Sequence, residues 1–183
     1  MLFCSLNLLN KINEAGEVLM KKRIFTIILL LLVAFSLYSC DDTVDIDVQI
    51  IDENGETGES INPTTTGKIT IINFWGVWCP YCLYEMPELD KLATDYENEI
   101  NVIAVHSYYY NDKAPEFIEE YFKDSKITFA RDTGGDELYM SLGGEDSYPY
   151  TVVFDANGKI ISSFYGANDY EYFESTFKHL IEK

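Results

Sequence analysis

Apolar residues fall in short, bounded runs along this chain, and the runs set the elements. Val44-Asp45-Ile46-Asp47-Val48-Gln49-Ile50 alternates apolar and polar, the period of a half-buried strand. Asp52-Glu53-Asn54-Gly55-Glu56 reads as a turn, and the chain then stays polar to Gly67, through Pro63-Thr64-Thr65-Thr66. Ile69-Thr70-Ile71-Ile72-Asn73-Phe74 is an apolar run of strand length and predicts a buried strand. The period then changes. Cys82, Met86, Leu89, Ala93 and Tyr96 recur at helical spacing, one apolar face of a helix that runs to about Glu97. Pro87 lies inside that helix and is expected to kink it. Asn101 to His106 is a second buried strand.

Asp112 can cap a helix that continues through Lys123, with Phe117, Ile118, Tyr121 and Phe122 facing in. Gly134 to Leu142 fits a short helix. Tyr150 to Phe154 reads as a strand, Asp155-Ala156-Asn157-Gly158 as a hairpin turn, and Lys159 to Phe164 as the returning strand. Asn168-Asp169-Tyr170-Glu171 fits a capping box with Asn168 as the cap. It opens a final helix that buries Phe173, Phe177 and Leu180. No internal repeat is present. Strand, helix, strand, helix, hairpin and helix predict an α/β fold, a central mixed sheet flanked by helices. Sites in such sheets gather at the carboxyl ends of the parallel strands. Cys79 and His106 both follow strands, so they are expected on one edge. A lone histidine at a strand end reads first as structural.

The N-terminal region changes the picture of where the domain begins. Met20-Lys21-Lys22-Arg23 is a basic start before the apolar run Ile24 to Leu37. That run is short against the roughly 20 residues of a membrane span and fits the core of a signal peptide. Residues 1–19 carry no clear pattern, which points to translation starting at Met20. Residues 1–39 then form a leader, 40–43 a tether and 44–183 the folded domain.

The chemistry sits between the first buried strand and the helix after it, in Trp75-Gly76-Val77-Trp78-Cys79-Pro80-Tyr81-Cys82. The first turn of a helix leaves N–H groups unpaired, and the helix dipole adds partial positive charge there. A thiolate is favoured over a thiol in that place, so Cys79 is expected to have a lowered pKa and to act as nucleophile. Cys82 lies one turn on and can close back on it as a disulfide. Pro80 suits a first helical turn, having no N–H to lose. A structural disulfide and half of a zinc site are the alternatives. Zinc would need a second ligand pair, and the other cysteines and histidines are Cys4, Cys40, His106 and His179, with no ligand spacing among them. The redox reading is favoured, and it requires no metal and no cofactor.

Composition narrows the partners. The 183 residues suffice for one domain plus a leader, and the formal net charge is −18. Nucleic acid is excluded as a partner by that acidity and by the lack of a basic stripe. The 14 tyrosines, Tyr108-Tyr109-Tyr110 among them, could form a partner surface, but packing in core and strands is the simpler use.

Several of these segments resemble known ones. Leu37-Tyr38-Ser39-Cys40 is similar to the lipobox of bacterial lipoproteins, whose cysteine is lipidated and becomes the new N-terminus. This implies a lipid anchor at Cys40 that holds the domain on a membrane surface in the bacterial envelope, outside the cytoplasm, without spanning it. Asp41-Asp42 next to it resembles either an inner-membrane retention signal or a surface-export signal.

Asn73 to Cys82, then Glu85-Met86-Pro87-Glu88-Leu89, then Tyr148-Pro149-Tyr150 through Lys159 resemble, in this order, the motifs of the thioredoxin superfamily. Within it they are most similar to the membrane-tethered TlpA/ResA-like thiol-disulfide oxidoreductases. The resemblance implies a thioredoxin-like fold with an N-terminal strand extension and a redox-active disulfide between Cys79 and Cys82. It implies that Pro149 is cis, packs against the disulfide and leaves the backbone of Tyr148 to pair with a substrate segment. Trp78, Pro80 and Tyr81 would join Tyr148 and Pro149 in binding substrate.

Two positions depart from the pattern. Many thioredoxins have a buried aspartate where Asn73 stands, and some TlpA/ResA-like members carry a glutamate where Glu85 stands. Glu85 is therefore the candidate catalytic acid, its pKa raised by burial so that it trades a proton with Cys82. Tyr148 stands where a small or β-branched residue is usual, which bears on substrate preference. Pro80-Tyr81 resembles the glutaredoxin dipeptide, without other support for a glutathione pocket.

The implied activity is reduction of disulfides in secreted proteins, apocytochromes among them, with electrons from a membrane thiol transporter. A thiol peroxidase of peroxiredoxin type would have threonine or serine where Gly76 stands. A Sco-like copper chaperone would have three residues between its cysteines rather than two.

Overall fold

The computed structural model describes residues 46–107, 113–132 and 134–182. The described strands are β1 (Val48–Asp52), β2 (Gly55–Ile61), β3 (Ile69–Trp75), β4 (Ile100–His106), β5 (Thr128–Arg131), β6 (Tyr150–Phe154) and β7 (Ile160–Tyr165). The described helices are α1 (Pro80–Asp95), α2 (Ala114–Tyr121), α3 (Glu137–Ser141) and α4 (Tyr170–Ile181). All the strands join one sheet in the order β2-β1-β5-β4-β3-β6-β7. The β3–β4 and β4–β5 pairs are parallel, and the other pairs antiparallel, so the sheet is mixed. The chain has a thioredoxin-like α/β fold.

β3 is buried along its whole length because helices cover both faces of the sheet. Ile71 and Trp75 point to one side, into a cluster with Met86 and Leu89 of α1 and Phe173 and Phe177 of α4. Ile72 and Phe74 point to the other, against Leu138 and Tyr139 of α3 and Tyr150 and Phe154 of β6. Burying one such side chain is worth roughly 1.5–3 kcal/mol. Asn73 shares the α1 side with Ile71 and Trp75, since side chains alternate along a strand. That parity aims a polar group at the helix that carries the cysteines. α1 itself runs without a break through Pro87 to Asp95.

The structure departs from the sequence reading at several elements. The first strand begins at Val48 rather than Val44 and extends to Asp52. The polar stretch after it is the strand β2, which pairs with β1 from Asp52 opposite Gly55. β5 has no counterpart in the sequence pattern, yet it sits between β1 and β4 inside the sheet. Tyr121, expected to face in, is 61% exposed. The cap of α4 is Asp169, whose side chain accepts from the Tyr172 N–H, and not Asn168. Asn168 turns its backbone N–H toward Glu85 instead.

Among the described residues no helix is long and apolar enough to cross a membrane. The leader, Cys40, Asp112 and Tyr108-Tyr109-Tyr110 lie outside the described residues.

Candidate active site

β3 ends at Trp75 and α1 starts at Pro80, so the short segment 76–79 at the sheet's centre places the cysteines. The Cys79 N–H donates to the Gly76 carbonyl at 3.0 Å and closes this connection as a turn. Cys79 is the N-cap of α1, with extended backbone, and Pro80 follows it in the first turn. Its Sγ accepts from the Cys82 N–H at 3.2 Å, taking the place that a capping oxygen fills elsewhere. Cys79 and Cys82 are joined as a disulfide, with their Cα atoms 5.3 Å apart. Cys79 is 4% exposed and Cys82 is 0% exposed, so an incoming group meets Cys79 first.

His106 ends β4 directly opposite Trp75 in the parallel register. Its Nε2 accepts from the Val77 N–H at 3.2 Å. Its Nδ1 faces the Ser107 carbonyl at 2.9 Å, which can only accept, so the proton is on Nδ1. The buried imidazole thus fastens the turn that presents Cys79, and Trp75 packs edge-on against its ring.

One turn beyond Cys82 on the same buried face of α1 lies Glu85, fully buried. Asn73 Nδ2 donates to its Oε1 at 2.7 Å, and the Asn168 N–H donates to its Oε2 at 3.2 Å. The same Asn73 amide donates to Thr151 Oγ1 at 3.0 Å, because β3 and β6 place these residues opposite each other. Burial pushes the Glu85 carboxyl up to about 7, against the opposing pull of its two donors. Asn73 Oδ1 has no hydrogen-bond partner among the described residues. Glu88, a further residue along α1, accepts from the Tyr170 N–H at 3.3 Å and ties the start of α4 to α1.

The Tyr148–Pro149 peptide bond is cis. Tyr148 packs against the cluster that contains both cysteines, and its ring meets that of Trp78 edge-on at 5.3 Å. Burial holds the Tyr148 hydroxyl well above its ordinary pKa. Trp78 is 44% exposed and Tyr81 71% exposed, and Pro80 is exposed between them. The described sequence-predicted residues therefore divide into an exposed rim of Trp78, Pro80 and Tyr81, a half-buried Tyr148, and a buried floor of Cys79, Cys82, Glu85 and Pro149. Sequence reasoning missed Thr151 and the structural weight of Asn73. The available signal was a polar residue interrupting each of two apolar strands, since buried polar groups must find each other.

The family model for Redoxin matches residues 46–181. The chain is 30% identical over 115 residues to the thiol-disulfide oxidoreductase ResA of Bacillus thuringiensis subsp. konkukian, covering 62% of this chain and 64% of that protein. It is 29% identical over 99 residues to the thioredoxin-like protein YneN of Bacillus subtilis, covering 51% of this chain and 54% of that one. The match thus spans less than two thirds of the length of these relatives. Among solved structures, the pneumococcal exposed lipoprotein thioredoxin from Streptococcus pneumoniae superposes with a TM-score of 0.61 at 21% identity, over 73% of this chain and 99% of that one. StoA from Bacillus subtilis gives 0.58 at 19%, over 73% and 98%. These structures share the thioredoxin-like fold. With the Redoxin model matched across essentially the whole described domain, and with ResA among its relatives, this chain belongs to the Redoxin family and is a TlpA/ResA-like member of the thioredoxin superfamily.

Proposed function

We propose that the protein is an extracytoplasmic thiol-disulfide oxidoreductase that reduces disulfides in other proteins. The observation that carries this is the hydrogen bond from the Cys82 N–H to Cys79 Sγ at the N-terminus of α1, which favours a thiolate at the one cysteine a substrate can reach. In the reduced protein, Cys79 thiolate attacks one sulfur of a substrate disulfide and expels the other as a thiolate. Cys82, deprotonated, then attacks Cys79 Sγ in the mixed disulfide. That closes the Cys79–Cys82 bond and releases the second substrate thiolate. Two electrons pass to the substrate, Cys82 gives up one proton, and the two released thiolates take their protons from solvent at a pH below their pKa values. Glu85, with a carboxyl that titrates near neutral pH, takes the proton of Cys82.

Trp78, Pro80, Tyr81, Tyr148 and Pro149 form the surface on which the substrate segment lies, extended along the main chain at Tyr148. The names of the ResA relatives support the activity, and that of the exposed lipoprotein thioredoxin supports a place outside the cytoplasm. Lipidation at Cys40 would hold the domain at the membrane, beside a membrane thiol transporter that restores the dithiol. Secreted proteins with disulfides, apocytochromes included, are the substrates.

Equilibration with a thiol redox buffer tests the direction of flow. A potential near that of thioredoxin, roughly −270 mV, fits a reductant with its own electron donor. A value near roughly −120 mV would make it an oxidant and end the reductase reading. Cys82→Ala is expected to accumulate mixed disulfides with its substrates, and a variant that accumulates none counts against the two-step exchange.

A further inference from the structure

A groove of about 380 Å³ opens beside the disulfide. It begins at Trp78, the residue before Cys79, and at Tyr148, the residue before the cis proline, so it continues the surface around the reacting sulfur. Its walls are aromatic. Tyr139 stacks on Tyr148 with ring centres 4.8 Å apart and planes 9° apart, and Trp78 meets Tyr148 edge-on. Its rim carries Asp136, Glu145 and Asp146, and among the described residues no lysine or arginine lines it.

The far wall is built in advance of any ligand. The Tyr139 hydroxyl donates to the Ser147 carbonyl at 2.8 Å and accepts from the Ser147 N–H at 3.2 Å. The Tyr165 hydroxyl donates to the Gly143 carbonyl at 2.8 Å and accepts from the Glu145 N–H at 2.7 Å. The Tyr150 hydroxyl donates to the Leu142 carbonyl at 2.7 Å. The main chain from 142 to 147 is thereby pinned from the body of the domain. Gly144 lies so close to Tyr139 that a Cβ there would stand 2.6 Å from its carbonyl oxygen and 2.5 Å from its ring. A wall held in this way loses little freedom when it binds.

Aromatic faces within and carboxylates at the rim select one kind of side chain. The stem must be long and apolar, and the end must be cationic. An acidic chain meets repulsion at the rim, and an apolar one gains nothing from the field of its carboxylates. We propose that this groove is a specificity subsite that takes a lysine or arginine side chain close to the target cysteine of the substrate. The proposal rests on the oxidoreductase reading and adds the chemistry that a preferred substrate carries. It differs from a general attraction of cations to a chain of net charge −18, because it depends on where the cation sits.

The test uses disulfide-linked peptides that are alike except for one lysine, norleucine or glutamate, scanned along both sides of the cysteine. Reduced protein is mixed with each at low ionic strength, and the exchange rate is read. At one position lysine should exceed glutamate by about tenfold. That ratio should fall to about twofold in D136N/E145Q/D146N. A second variant, E116Q/E171Q/E182Q, removes the same formal charge from exposed positions outside the groove and should keep the ratio. A ratio unchanged in the groove variant, or lost equally in both variants, overturns the subsite.

Reduction of a small neutral aromatic disulfide by the wild-type protein reports the oxidoreductase reading separately. If that reduction is absent, the oxidoreductase reading fails, and calorimetric binding of the lysine peptide with serine in place of cysteine decides the subsite. Binding that the groove variant loses supports it, and lack of binding to the wild type overturns it.

Discussion

Carboxyl groups stand on two sides of the Cys79–Cys82 pair and are held in opposite ways. Glu85 lies in a dry seam between α1, β3 and β6, gripped by Asn73 and the Asn168 backbone, and burial lifts its pKa to about 7. Glu145 and Asp146 stand in water on the rim of an aromatic groove, with Asp136 half-buried beside them. On the readings proposed above, the same functional group would serve as a proton store on one side and as a source of field on the other. Solvent access, set by the fold, decides which.

Substitutions can separate the two sides. The largest effect is expected for Cys79→Ser, which removes the attacking sulfur that both sides serve. Reduction of a small disulfide should fall to the background rate, and residual turnover above that rate would mean that Cys82 can attack on its own.

Glu85→Gln isolates the dry side. A carboxyl that titrates near 7 when folded and near 4.5 when unfolded favours the fold fully below about 4.5, and that contribution is lost as pH rises through 7. Denaturant titrations of the oxidised wild type should therefore lose on the order of 3 kcal/mol between pH 4.5 and 8.5 relative to Glu85→Gln. Parallel curves for the two proteins would show that Glu85 is not the proton store.

Gly76→Ala breaks the wet side. A Cβ at Gly76 would lie 2.5 Å from Nε1 of Trp78 and 2.7 Å from its Cε2, so the indole must leave its place against Tyr148. A loss of about 1–3 kcal/mol is expected, with the Trp78 signal altered and the pH dependence due to Glu85 intact. Loss of that pH dependence would mean that the two sides are coupled through the turn. The smallest effect is Thr151→Val, which takes one acceptor from the Asn73 amide at a cost of about 1 kcal/mol. The preference among charged peptides should not move. If it does, the seam reaches the groove.

Much of this arrangement was legible in the residues, for definite reasons. β3, β4 and β6 carry mainly apolar runs broken by single polar residues, and α1 carries a helical stripe, because each is covered by other elements. β2 and β5 carry neither. β2 is exposed at most positions and exists through main-chain pairing with β1, and β5 is a strand of four residues placed by its neighbours. Glu85 was legible through its place on the helix that bears the cysteines. Thr151 was not, since its link to Asn73 is a register between strands 78 residues apart in sequence. The groove was hidden for the same reason, as Trp78, Asp136 and Tyr148 meet only in the fold. Asp169, not the neighbouring Asn168, caps α4: its carboxylate accepts the Tyr172 N–H, while the Asn168 side chain donates to the Gly166 carbonyl and its N–H to Glu85, contacts that local pattern does not carry.

β2 closes one end of the sheet with Gly55, Glu56, Thr57, Gly58, Glu59, Ser60 and Ile61. A strand in that place offers its outer N–H and carbonyl groups to any passing chain. Here a second copy would bring Glu56 and Glu59 against their own kind, and the glycines provide no side chain to grip. Among the described strands, the one most open to pairing with a second copy is thus also the one whose charge disfavours it.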